Sequence, residues 1–157
     1  MKRSLRTIPA ALAVAAAAVL GVTAPAAAHH SFAMYDQTKV VTLTGVAHQF
    51  VAQPNHAELH FYLIGPNGKL AKGADGKNVS WGIEMGGAAA EARQGVSGQT
   101  FPPGTIFTVQ LNPMRNGSNF GSRVGQLIKC PWRTPPAPGR GCDSVQGHER
   151  IGPERYS

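Results

Sequence analysis

The chain has 157 residues, the length of one ordinary domain. With 42% apolar and 15% charged residues it can bury a core, which excludes wholesale disorder. Its 19 glycines and 12 prolines speak for short elements joined by turns and against a helical bundle, and the formal charge of +7 raises the question of a polyanionic partner.

The first element in the chain accounts for much of that charge. Lys2, Arg3 and Arg6 precede an alanine-rich apolar run over residues 8–22, and Ala26-Ala27-Ala28 supplies small residues for cleavage. This order reads as a secretory signal peptide over residues 1–28. The run is shorter than the roughly 20 residues needed to span a bilayer, and no later run is long enough. The expected product is a periplasmic or secreted protein without an integral membrane segment. Three basic and no acidic residues leave with the signal, so the charge falls from +7 to +4. That value is ordinary solubility and argues against a nucleic-acid partner.

Residues 40–51 alternate, with Val41, Leu43, Ala47 and Val51 at one parity and Thr42, Thr44 and His48 at the other. They predict a half-buried strand, with a bulge or bend at Gly45. A second strand over 57–64 points Leu59, Phe61 and Leu63 inward and Glu58, His60 and Tyr62 outward. Pro66-Asn67-Gly68 and Asp75-Gly76 mark a long excursion or small hairpin before a third strand over 79–85, whose inner face is Val79, Trp81, Ile83 and Met85. Residues 88–94 are good helix formers, and Gly95 is placed to cap them. Residues 105–111 alternate again, 112–121 form a polar loop, and 123–129 are the last strand.

Three strands, one short helix and two strands predict an all-β fold, a small five-stranded OB-like barrel with the helix between strands 3 and 4. A small open β-sandwich is the rival. The barrel is expected to occupy residues 29–129. Residues 130–157, rich in Pro, Gly and Arg, are expected to be an irregular tail. Cys130 and Cys142 bracket a segment with four prolines and two glycines. In an oxidising compartment a disulfide is the expectation, contributing about 3 kcal/mol; the C-x-x-C redox spacing is absent.

His29-His30-Ser31-Phe32-Ala33-Met34-Tyr35-Asp36, followed by Val41-Thr42-Leu43-Thr44-Gly45, resembles the opening of a family of small exported bacterial proteins of unknown function. Similar members continue with segments matched here by Pro54-Asn55-His56, by Trp81-Gly82-Ile83-Glu84-Met85-Gly86-Gly87, by Phe101-Pro102-Pro103-Gly104 and by Arg115-Asn116-Gly117-Ser118. The resemblance runs from residue 29 to about 129. This chain departs from it in the order Pro-Asn-His and in added residues near 69–77. The resemblance implies a bacterial envelope protein and no reaction.

Six histidines make metal the first chemical question. His56 and His60 are spaced for one face of a helix, but on a strand four residues span about 13 Å, too far for one ion. If Val51 opposed Ala57, His48 and His60 would be cross-strand neighbours able to share a metal or an anion. Cleavage after Ala28 would leave His29 with a free amine beside His30, a nitrogen-rich chelate for Cu(II); a cut one residue earlier would put a histidine third, which also favours copper. The metal candidates are therefore His29, His30, His48 and His60, and copper is the one cofactor suggested.

Other chemistry is thin. Ser31, Ser80 and Ser97 sit in no nucleophile elbow, Glu84 shows no carboxylate partner, and phosphate-cradling motifs are absent. In OB barrels the loops joining strands 1–2 and 4–5 flank the binding face. Asn55, His56, Arg115, Asn116 and Ser118 are the ligand-binding candidates there, suited to an anionic, sugar-like or oligonucleotide ligand. The reading is a non-catalytic binding or accessory protein whose partner is an unknown ligand or envelope protein. The alternative is a small periplasmic enzyme, copper-dependent or otherwise.

Overall fold

The computed structural model describes residues 32–154. Its elements are β1 (Val41–Val51), β2 (Glu58–Leu63), β3 (Ser80–Glu84), α1 (Ala88–Arg93), β4 (Ile106–Pro113), β5 (Phe120–Lys129) and β6 (Glu149–Ile151). Neighbours run β3-β2-β1-β4-β5-β6, antiparallel at each step. A parallel pairing of β3 with β5 then joins the two ends of the five-stranded series. The sheet is a closed barrel, and the open sandwich falls away.

The predicted parities hold on β2, β3 and β4. Leu59, Phe61, Ile83, Phe107, Val109 and Leu111 are at most 1% exposed, and burying side chains of this size contributes about 1.5–3 kcal/mol each. Phe107 stands at the centre, edge-on to Phe61 at 5.1 Å and to Phe101 at 5.6 Å between ring centroids. α1 lies between β3 and β4 as expected, and Gly95 at φ 81° ends it, its N–H bonded to the Ala92 carbonyl.

β1 differs from its expected form. The irregularity lies between Ala47 and Gln49, not at Gly45, which pairs on both sides of the strand. Gly45 serves a different purpose: a Cβ there would collide with the Phe61 ring. The bulge at His48 reverses the parity beyond it, so Phe50, rather than Val51, packs against the core. It also sets Val51 opposite Glu58, not Ala57.

β5 begins at Phe120, within the segment expected to be loop. Phe120, Gly121 and Ser122 are the residues that pair with Gly82, Ile83 and Glu84 to close the barrel. The loop is correspondingly shorter, covering residues 114–119.

The tail is not wholly irregular. Cys130 and Cys142 are bonded, the Cys142 N–H donates to Thr108 Oγ1 at 2.8 Å, and β6 pairs Ile151 with Leu127. Ile151 packs against the core. Three residues are too few for alternation to be read, so the strand left no periodic signal.

One end of the barrel holds a fully buried ion pair. Arg123 Nη1 lies 2.9 Å from Glu91 Oε2, with side-chain exposures of 0% and 1%. Arg123 also donates to Gln94 Oε1 at 3.3 Å, and the Gly86 N–H donates to Glu91 Oε1 at 3.0 Å. Gly152 of the tail lies against the guanidinium. The pair ties α1 to β5.

Candidate functional site

β2 and β3 carry their polar residues on the outer face. Glu58, His60 and Tyr62 alternate with the buried Leu59 and Phe61, and Ser80, Gly82 and Glu84 alternate with Trp81 and Ile83. The register sets Glu58 opposite Glu84, His60 opposite Gly82 and Tyr62 opposite Ser80. Glu84 thus does have a carboxylate neighbour, contrary to the sequence reading. Residues 64–79 separate the two strands, and the tight turns at Gly68 and Gly76 inside that excursion hide the register.

Each carboxylate is held by an imidazole. His60 Nε2 lies 2.8 Å from Glu58 Oε2, and His56 Nδ1 lies 3.3 Å from Glu84 Oε1. The two histidines belong to different carboxylates, in keeping with their rejection as a joint chelate. Tyr35, 1% exposed, reaches in from the segment before β1 and donates its hydroxyl to Glu84 Oε2 at 2.9 Å. Burial, then the hydrogen bond and charge of Glu84, push this phenol above its usual range, so it stays a donor at physiological pH. Tyr35 had no assigned role in the sequence; a tyrosine in a short segment outside any periodic strand gives no sign of what it touches.

His48, at the bulge, lies on the same face. Its ring stacks on Tyr62 at 4.3 Å and lies 6.1 Å from the ring of His60. The expected neighbourhood of His48 and His60 is therefore present, although through a bulge and not through the register proposed for it. His48 Nε2 is 3.0 Å from Ser80 Oγ. Burial, then the nearby His60, lowers the pKa of His48 below its usual value, which favours the neutral ring. Ser80 and His48 are thus in hydrogen-bond reach, but no carboxylate among the described residues orients the other nitrogen of His48, as a nucleophilic triad requires.

Gly82 leaves room for an aromatic wall. A Cβ at this position would strike the Phe120 ring and stand 3.1 Å from His60 Nδ1. Phe120 covers the strand there, with its ring centroid 6.2 Å from that of His60.

The loop candidates divide. His56 is part of the cluster, and Asn55 is its exposed neighbour. Arg115 Nε donates to the Ala33 carbonyl at 3.2 Å, and its N–H donates to the Met34 carbonyl at 2.9 Å. Asn116 Oδ1 accepts from the Ser118 N–H at 2.9 Å. Arg115, Asn116 and Ser118 thus shape the loop and anchor the segment that delivers Tyr35, which itself bridges to Met114. His29 and His30 lie outside the described residues. Among the described residues, no three His, Cys, Asp or Glu side chains are grouped to hold a metal ion, so His48 and His60 stand as a pair.

A separate groove of about 450 Å3 is lined by Thr42, Thr44, Pro136, Arg140 and Asp143 among others. It has volume, but its only ionisable side chains are Arg140 and Asp143. The outer face of β2 and β3 gathers far more chemistry, and we place the candidate site there.

A closed five-stranded barrel with this strand order, one helix between strands 3 and 4 and a polar face on strands 2 and 3 defines an OB-type barrel. No helix among the described residues is long and apolar enough to cross a membrane. The chain belongs to a family of unknown function (DUF6152), whose model matches residues 16–123. No curated protein and no solved structure matches it. The matched span ends at Arg123 and includes Tyr35, Glu58, His60, Glu84 and Glu91.

Proposed function

We propose that the protein is an exported, non-catalytic binding module that holds its ligand on the outer face of β2 and β3. The carrying observation is the convergence of Glu58, His60, Tyr62, Ser80 and Glu84 with His48, His56 and the buried Tyr35 on that face. OB-type barrels use this face, flanked by the loops that here carry Asn55, His56, Arg115, Asn116 and Ser118. Export, to the periplasm or beyond, is supported by the basic, apolar and small-residue order of residues 1–28. Two outward carboxylates repel a phosphate backbone, which weighs against an oligonucleotide here.

The test maps amide chemical shifts of the processed protein while a panel is added: a capped arginine amide, a disaccharide, a short oligonucleotide and Cu(II). The reading expects at least one member to shift amides of β2 and β3 first. Shifts confined to the groove lined by Thr42, Arg140 and Asp143 would overturn it.

Copper is a second reading, favoured by the placement of His29 and His30 directly after the alanine-rich cleavage region. The free amine and imidazole of His29 would chelate one Cu(II) after processing. Extending the chain by two residues before His29 should abolish that binding. Equal binding by both forms would move the ion to His48 and His60.

A further inference from the structure

Glu58 and Glu84 are direct cross-strand partners on the outer face, with side-chain exposures of 28% and 19%. Like charges placed opposite one another destabilise a sheet, so this pairing works against the fold. Nothing fixed offsets it: among the described residues their ion pairs are with His60 and His56 alone. β1, β2 and β3 contain no lysine or arginine, in a chain with 15 basic and 8 acidic residues. The face is an acidic island on a basic protein.

The carboxylates are also built into place. Tyr35, fully buried, spends its hydroxyl on Glu84, and His56 and His60 fix the remaining orientation. Each carboxylate offers about four lone-pair sites, so these bonds leave acceptor capacity facing outward. The Phe120 ring lies over Gly82, two residues before Glu84 on β3, and the His48–Tyr62 stack stands farther along the face, beyond His60. Paired carboxylates beside an aromatic face are the complement of an organic cation, which donates charge-assisted hydrogen bonds to the first and is drawn to the second by cation–π attraction. A metal ion fits less well, because no three ligating side chains are grouped among the described residues.

We propose that Glu58 and Glu84, beside the Phe120 ring, bind an organic cation bearing an ammonium or guanidinium group. The inference rests on the outer-face reading above and names its ligand class. The cation is either a free amine or the basic side chain of a protein. The titratable groups around the carboxylates are His60 on β2, His56 in the loop and Tyr35 beneath.

The test titrates processed protein at pH 8 and low salt with spermidine and, separately, with a short peptide carrying one lysine and one arginine. Amide shifts are followed in the wild type, in Glu58→Gln and in Glu84→Gln, each checked for an unfolding midpoint no lower than that of the wild type. At least one probe should bind at β2 and β3, with at least tenfold weaker binding in each variant. Preference for spermidine assigns a free amine, and preference for the peptide assigns a protein side chain. Equal binding in wild type and variants overturns the inference. If a neutral disaccharide shifts the face and neither cation does, the outer-face reading stands and the cation is wrong. If no probe shifts the face, both fall.

Discussion

Glu84 and Glu91 lie close in sequence, on either side of the Gly86-Gly87 turn, and meet opposite fates. Glu91 is sealed beneath the barrel with Arg123, both charges out of water and held by Gly86 and Gln94 as well. Glu84 faces outward, bonded to one buried tyrosine and one exposed histidine, and stands across from another carboxylate. The first glutamate has a permanent cation and no room for a ligand. The second has no fixed cation and an open side. Equal residue types thus separate into a fastening and a candidate site by what surrounds them, and the difference can be tested by breaking each.

The largest effect should come from Arg123→Ala. It strands a buried carboxylate, and urea unfolding should show a loss of about 3–5 kcal/mol. Replacing both partners with apolar residues, Glu91→Leu with Arg123→Met, should recover most of that loss, because the desolvation cost leaves with the charges. A double variant as unstable as the single one would show that the pair does more than fasten α1.

Next comes the disulfide. Cys130→Ala with Cys142→Ala should cost about 2–4 kcal/mol through the freed loop. Amides of β2 and β3 should keep their chemical shifts, since the bridge ties the tail and not the outer face. Shifts at Glu58 or Glu84 would mean that the two regions are coupled.

Glu58→Gln should be neutral or stabilising by about 0.2–1 kcal/mol at pH 8, because it removes a like-charge pair. A loss of 2 kcal/mol or more would place Glu58 with Glu91 as a structural group.

The smallest effect concerns pH. The folded state depresses the pKa of His48, chiefly by burial. The unfolded chain therefore takes up a proton first, and stability is lost as pH falls from the unfolded histidine value through the lower folded one. His48→Gln should show a shallower decline over that window by urea unfolding. Identical slopes would remove His48 from the account.

The sequence made visible what local pattern determines. Alternation placed Leu59, Phe61, Ile83 and Phe107 inside, helix formers before Gly95 marked α1, and the proline-rich segment between Cys130 and Cys142 foretold the bridge. Glu58 and Glu84 could both be read as outward. Their pairing could not, because register across residues 64–79 is a non-local property. The bulge at His48 was equally hidden, since a single inserted residue breaks parity without any special residue type to announce it. Barrel closure rests on Phe120, Gly121 and Ser122, too polar and glycine-rich a run to read as strand. Arg123 did leave a trace. It shares the inward parity of Leu127 on β5, and a charge at an inward position calls for a buried partner.

The comparison is tested most directly by equilibrium unfolding of Glu84→Gln beside Glu91→Gln under identical conditions. Glu84→Gln should stay within about 0.5 kcal/mol of the wild type, as an outward-facing group whose amide can still accept from Tyr35. Glu91→Gln should lose about 3 kcal/mol or more, because it leaves the Arg123 charge buried without its counter-ion. Equal losses in the two variants would contradict the account and make Glu84 part of the fastening.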